Sequence, residues 1–167
     1  MNPARRCIKI ASRDYIDKEA SDKKRRKALY KHILMSTDGS ELAMKGVKHG
    51  LDLAKKCGGK VTVITVNQPY PLQSAATTDS WAQAQKTHAD EALAAVFDAA
   101  KAVDVEIDAR QVTDHTPAEA IVEAAETLGC DLIVMASHGR RGVSRLLLGS
   151  QTAEVVSHSP IPVLVVR

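Results

Sequence analysis

The chain has 167 residues, enough for one domain with a buried core and too few for two ordinary ones. With 44% apolar and 26% charged residues, nine glycines and six prolines, its composition excludes collagen-like and low-complexity disordered classes, and no apolar run approaches the ~20 residues of a membrane span. The net charge of +3 is unevenly placed: residues 1–31 carry eleven Lys/Arg against four acidic residues, and the rest carries twelve basic and sixteen acidic ones.

Residues 1–28 hold few large apolar side chains and no sustained period, so they cannot bury enough surface to offset the entropy of ordering. They are expected to form a flexible basic extension outside the fold. The Lys23-Lys-Arg-Arg-Lys27 run suits an anionic nucleic acid or lipid, but a solvated charge run is the more common explanation. No signal-peptide hydrophobic stretch opens the chain, which predicts a cytoplasmic protein. Cys7, Cys57 and Cys130 are odd in number, far apart and without a CxxC pair, which argues against both a disulfide framework and a zinc site.

From residue 29 onward short aliphatic runs alternate with helical periods, the pattern of βαβ units. Strands are expected at His32–Met35, Val61–Val66, Val105–Val112, Asp131–Ala136 and Pro162–Val166. Between them lie three apolar stripes at helical spacing: Ala43, Val47, Leu51 and Ala54; Leu93, Val96, Phe97 and Ala100; Ala118, Ile121, Val122 and Ala125. Gly58-Gly59 and Gly129 mark helix ends, and Thr116-Pro-Ala-Glu119 reads as an N-cap, a first-turn proline and a capping-box glutamate. A fourth helix, Ser150 to His158, is stopped by Pro160 and Pro162. The expected fold class is α/β: an open five-stranded parallel sheet of order 3-2-1-4-5 with helices on both faces, Rossmann-like. In such a sheet ligands bind where the order reverses, here between strands one and four, beyond the carboxyl ends.

Two loops meet at that point, Ser36–Ser40 after strand one and Ser137–Gly149 after strand four. In the second, Gly139 and Gly149 let backbone approach a ligand. Ser150, Gln151 and Thr152 present N–H groups at a helix start, and Arg140, Arg141 and Arg145 add cations. The segment fits a polyphosphate cradle, and it equally fits a turn whose glycines serve only the chain path. The histidines show neither HxxxH nor HExxH spacing, and His138 has no acid partner placed by sequence. Asp38 fits either a general base or the cap of the next helix. Five aromatic residues in all argue against a stacking platform for single-stranded nucleic acid.

Taken together, Tyr30-Lys-His-Ile-Leu with Thr37-Asp-Gly-Ser40, the closing Ser157-His-Ser-Pro-Ile-Pro-Val-Leu-Val-Val166, and the stretch Ser137-His-Gly-Arg-Arg-Gly-Val-Ser-Arg-Leu-Leu-Leu-Gly-Ser150 resemble the universal stress proteins. The resemblance runs from Tyr30 to Arg167. The last stretch is similar to that family's nucleotide motif, G-x2-G-x9-G-[ST], with Gly139, Gly149 and Ser150 in register and Ala136 in place of the first glycine. It implies a domain over residues 29–167 that binds ATP, with Mg²⁺ at the nucleotide. By position, Gly139, Arg140, Gly149, Ser150, Gln151 and Thr152 would lie at the phosphates and Ala136 at the ribose. Asp38 would face the ribose or metal, the Val66 backbone would pair with adenine, and Ser36 and Thr37 would line base and sugar. Alanine at 136 costs little if its φ is negative and narrows the pocket if it is positive.

Three functions follow as expectations. The first is an ATP-binding regulatory protein of the stress response, a homodimer with slow or no turnover. The second is a nucleotide-independent homodimeric scaffold, paired through residues 162–166 at the sheet edge. The third is an ATP pyrophosphatase or adenylating enzyme, which ranks last because such enzymes grip pyrophosphate with an SGGxDS loop after strand one, and the loop here is Ser36-Thr-Asp-Gly-Ser-Glu41.

Overall fold

A computed structural model describes residues 29–70, 78–139 and 148–167. Five parallel strands form one sheet of order β3-β2-β1-β4-β5: β1 His32–Ser36, β2 Lys60–Asn67, β3 Asp108–Thr113, β4 Leu132–Ala136 and β5 Val163–Val166. The helices are α1 Glu41–Cys57, α2 Thr78–Ala102, α3 Pro117–Thr127 and α4 Ser150–His158. The expected order and both-faced covering are those observed.

Strand alternation sorts the core into two layers. Ile33, Met35, Val61, Val63, Leu132 and Val134 face α1 and α2, meeting Val47, Leu51 and Val96. Leu34, Ile64, Ile133 and Met135 face the other way, onto Ala118, Ile121 and Ala125 of α3 and Val155 of α4. Two glycines let α1 sit close on the sheet: a Cβ at Gly50 would fall 2.7 Å from the Met35 methyl, and one at Gly46 would fall 3.3 Å from the Ala136 nitrogen. At the foot of the sheet the Asp131 carboxylate accepts the backbone N–H of Lys31 at 2.8 Å and of His32 at 3.1 Å, which fixes where β1 begins.

Three expectations need correction. Strand three begins at Asp108, not Val105. The Val105 N–H bonds back to the Ala100 carbonyl at 3.0 Å, and Asp104 takes a left-handed φ of 56°, so Val105 belongs to the cap that ends α2. Phe97 is 50% exposed: α2 buries Ala89, Ala92, Leu93, Val96 and Ala100, and Phe97 lies beside that stripe. Thr116 stands at the N-cap of α3 without a side-chain capping bond, and Glu119 is exposed, so the capping box does not form. Asp114 accepts from Thr116 N at 2.8 Å instead, and the Gln151 side chain accepts from Ala118 N at 2.9 Å.

Candidate functional site

Above the carboxyl ends of β1 and β4 lies a cavity of about 390 Å³, where the order of connections reverses. Its lining includes ten residues singled out from sequence: Ser36, Thr37, Asp38, Val66, Ala136, Gly139, Gly149, Ser150, Gln151 and Thr152. Arg140 lies outside the described residues, as do Arg141 and Arg145.

The β1 loop is held by its own side chains. Thr37 Oγ1 accepts from Gly39 N at 3.1 Å and Asp38 Oδ1 from Ser40 N at 3.0 Å, while Ser40 caps α1 by accepting from Ala43 N at 3.2 Å. Gly39, with φ of 75°, makes the turn into the helix. Asp38 therefore shapes the loop that enters the helix, and the cap of α1 is Ser40 and not Asp38, a correction to the capping alternative.

Across the crevice, the β4–α4 connection has its ends tied together: Gly149 N donates to Ser137 O at 2.8 Å, and Thr152 Oγ1 donates to Ala136 O at 2.9 Å. Ala153 N, bonded to Gly149 O at 2.9 Å, makes the first intrahelical bond of α4, so the N–H groups of Ser150, Gln151 and Thr152 have no partner within the helix. They supply the positive helix end to the cavity. Gly139 approaches Asp38 so closely that a Cβ there would meet Asp38 Oδ2 at 2.5 Å. Among the described residues Asp104 is the one non-glycine with positive φ, so Ala136 keeps ordinary strand backbone and its methyl group carries no strain.

Six more lining residues were not foreseen as part of the site: Ala43, Ile64, Pro117 and Ile121 were read only as parts of strands and helices, and Gln68 and Gln85 not at all. Ile64, Val66 and Gln68 follow the two-residue period of β2, a signal that was available for Ile64. His88 also lines the cavity, and its Nε2 donates to the Asp38 carbonyl at 2.8 Å. His138 Nδ1 lies 3.1 Å from Ser137 Oγ, its neighbour in sequence. The first turns of α2 are fastened to the end of β2, since Trp81 Nε1 and Gln85 Nε2 both donate to the Gln68 carbonyl, at 3.2 and 3.4 Å. The Trp81 ring meets Tyr70 edge to face, with centroids 6.4 Å apart.

The cavity thus has two characters on opposite sides of β1. On the β2 side are Ile64, Val66 and two carboxamides, and on the β4 side are glycine backbone and the head of α4. β2 and β4 are two strand spacings apart, roughly 9.5 Å. An apolar slot joined at that distance to unpaired amides takes a flat, weakly polar ring at one end and an anion at the other. Cys130 stands apart from the site: burial, and then the Asp131 charge, push its thiol up to about 11, which leaves it un-ionised at neutral pH. Among the described residues no group of three His, Cys, Asp or Glu side chains is placed to hold a metal ion, and no helix is long and apolar enough to cross a membrane.

The family model for the universal stress protein family matches residues 29–167. Universal stress protein MJ0531 of Methanocaldococcus jannaschii is 36% identical over 142 residues, 83% of each chain. UspA of Lactobacillus plantarum superposes with a TM-score of 0.72 over 83% of this chain and 98% of its own, at 23% identity, a likeness of fold. A universal stress protein solved in complex with cAMP is 29% identical, with a TM-score of 0.66 over 83% of this chain and 97% of that one. The chain belongs to the universal stress protein family.

Proposed function

We propose that this protein is an adenine-nucleotide-binding regulator of stress physiology that takes ATP, with Mg²⁺, in the crevice between β1 and β4. The observation that carries the reading is the two-sided lining, aliphatic with two neutral carboxamides toward β2 and rich in unpaired amides toward α4. The cAMP held by the 29%-identical relative supports an adenine ligand for this chain as well.

In this reading adenine lies against Ile64 and pairs with the Val66 backbone, Ser36 and Thr37 line base and sugar, and Ala136 stands by the ribose. Gly139, Arg140, Gly149, Ser150, Gln151 and Thr152 serve the phosphates. Asp38 is the one carboxylate on the cavity among the described residues, which fits a Mg²⁺ ion held mainly by phosphates and water. The crevice binds and orients, and turnover is slow or absent. The domain spans residues 29–167 and the protein acts in the cytoplasm, while residues 1–28, expected from sequence to be a basic extension, lie outside the described residues.

Dimerisation through residues 162–166 belongs to the same reading. β5 is an edge strand whose four residues are all half-buried, and pairing with a second copy would cover them.

The test is isothermal titration with ATP, ADP and AMP, with and without Mg²⁺, on the natural protein and on Gly139→Val. The valine should weaken ATP at least about tenfold, because its side chain would occupy space at the phosphates and push aside the Asp38 carboxylate, 2.5 Å from the new Cβ, and a single lost contact of ~1.4 kcal/mol already has that effect. ATP binding that the valine leaves untouched would overturn the placement of the phosphates. No binding by the natural protein would favour the nucleotide-independent scaffold.

A further inference from the structure

We infer that a base held in the crevice fastens the first turns of α2, Thr78–His88, and that this segment is where occupancy of the site reaches the outer surface, an inference that rests on the adenine-nucleotide reading.

The inward face of α2 changes character along its length. Trp81, Gln85 and His88, spaced by four and three residues, continue toward the N-terminus the stripe that Ala92, Val96 and Ala100 form. From Ala89 onward that stripe is apolar and α2 buries five residues. The helix there presses on the β1 loop, where a Cβ at Gly39 would come 3.0 Å from that of Ala92. Before Ala89 no residue is fully buried, and the stripe consists of side chains that hydrogen-bond. A helix segment without buried apolar anchors belongs to the low end of local stability.

The ties that hold this segment end on the cavity itself. Gln68 and Asp38 both line it, and their carbonyls accept from Trp81 Nε1 at 3.2 Å and Gln85 Nε2 at 3.4 Å, and from His88 Nε2 at 2.8 Å. Water can replace each donor at little net cost, so the ties are releasable. A ring lodged between the β2 wall and α2 displaces that water and lowers the local dielectric, which strengthens the same bonds. The ligand thus prefers the fastened helix and shifts the segment toward it. The opposite face of the segment, which includes Asp79, Gln83, Lys86 and Thr87, lies in solvent and carries the change outward.

Hydrogen exchange followed by mass spectrometry reads the segment directly. In the free protein the amides of 82–88 should exchange at least about tenfold faster than those of 92–100. ATP at about 100 times its Kd should slow 82–88 at least about fivefold, within the roughly hundredfold that binding at such an excess permits. Tripolyphosphate, which lacks a base, should leave the segment unchanged. Trp81→Phe keeps a ring against Tyr70 and loses the donor, so in the free protein it should speed exchange of 82–88 by about fivefold, the worth of one hydrogen bond, and leave 92–100 as it was. Exchange in 82–88 that is already as slow as in 92–100, that bound ATP leaves unchanged, or that tripolyphosphate slows equally would overturn this inference and leave the adenine reading standing. An unaltered rate in Trp81→Phe, or equal acceleration of both stretches, would overturn it in the same way. Absence of ATP binding would overturn the reading and the inference together.

Discussion

The side-chain oxygen of Gln151 accepts the backbone N–H of Ala118 at 2.9 Å, so a residue in the first turn of α4 caps the first turn of α3. Two helix starts that both border the cavity are locked to each other. Replacing Gln151 by leucine should destabilise the protein by about 1 kcal/mol, the value of a lost cap, and Gln151→Glu, which keeps an acceptor, should retain most of that stability. Urea denaturation of the three proteins checks the order. A leucine variant as stable as the natural protein would show that the cap contributes nothing.

Ala136 occupies the position of the motif's first glycine in an unstrained strand conformation, buried to 7% exposure. Restoring glycine removes a packed methyl group and loosens β4, at a cost of about 1 kcal/mol. Because no backbone strain is relieved, ATP affinity should stay within about twofold. Calorimetry of Ala136→Gly, thermal and binding, measures both, and a large gain in affinity would mean that the methyl group obstructs the sugar.

The Asp131 carboxylate serves two N–H groups at the start of β1, on Lys31 and His32. Asp131→Ala strands both and should cost about 2 kcal/mol, and Asp131→Asn, which keeps one acceptor oxygen, about half that. The midpoint of chemical denaturation reports the difference.

For Cys130 the sign of the pH effect follows from its raised pKa, from 9.0 to about 11. The folded state favours the neutral thiol, so its contribution is intact below pH 9.0 and is lost as the pH rises toward about 11. Stability should decline over that window by on the order of 2 kcal/mol, and Cys130→Ala should flatten the decline. At pH 8, iodoacetamide should label Cys57, which is half-buried, well before Cys130, with peptide mass mapping as the readout.

The legibility of the sequence follows from which forces act locally. Strand order and helix stripes were readable because burial writes them as periods of two and three to four. The ends of α1 and α3 were readable because Gly58 and Gly129 hold their left-handed caps, at φ 68° and 65°. The end of α2 uses the same cap with Asp104, and with no glycine to mark it Val105 and Ile107 read as strand. The first turns of α2 were missed for a related reason. Between Thr78 and His88 the helix buries no residue fully and is held by the half-buried Trp81, Gln85 and His88 on carbonyls of distant segments, which no apolar period announces. The glycine-rich half of the site was legible from spacing, while the Gln68 and Gln85 side depended on that unannounced helix.

The two borders of the sheet differ in kind. β3 turns outward Asp108, Arg110 and Gln111, with Arg110 and Asp108 paired at 2.7 Å, whereas β5 is wholly aliphatic. In the proposed dimer, pairing at β5 would leave only the two charged β3 borders uncovered, which discourages further strand addition, so the assembly would close at two copies instead of running on into fibres.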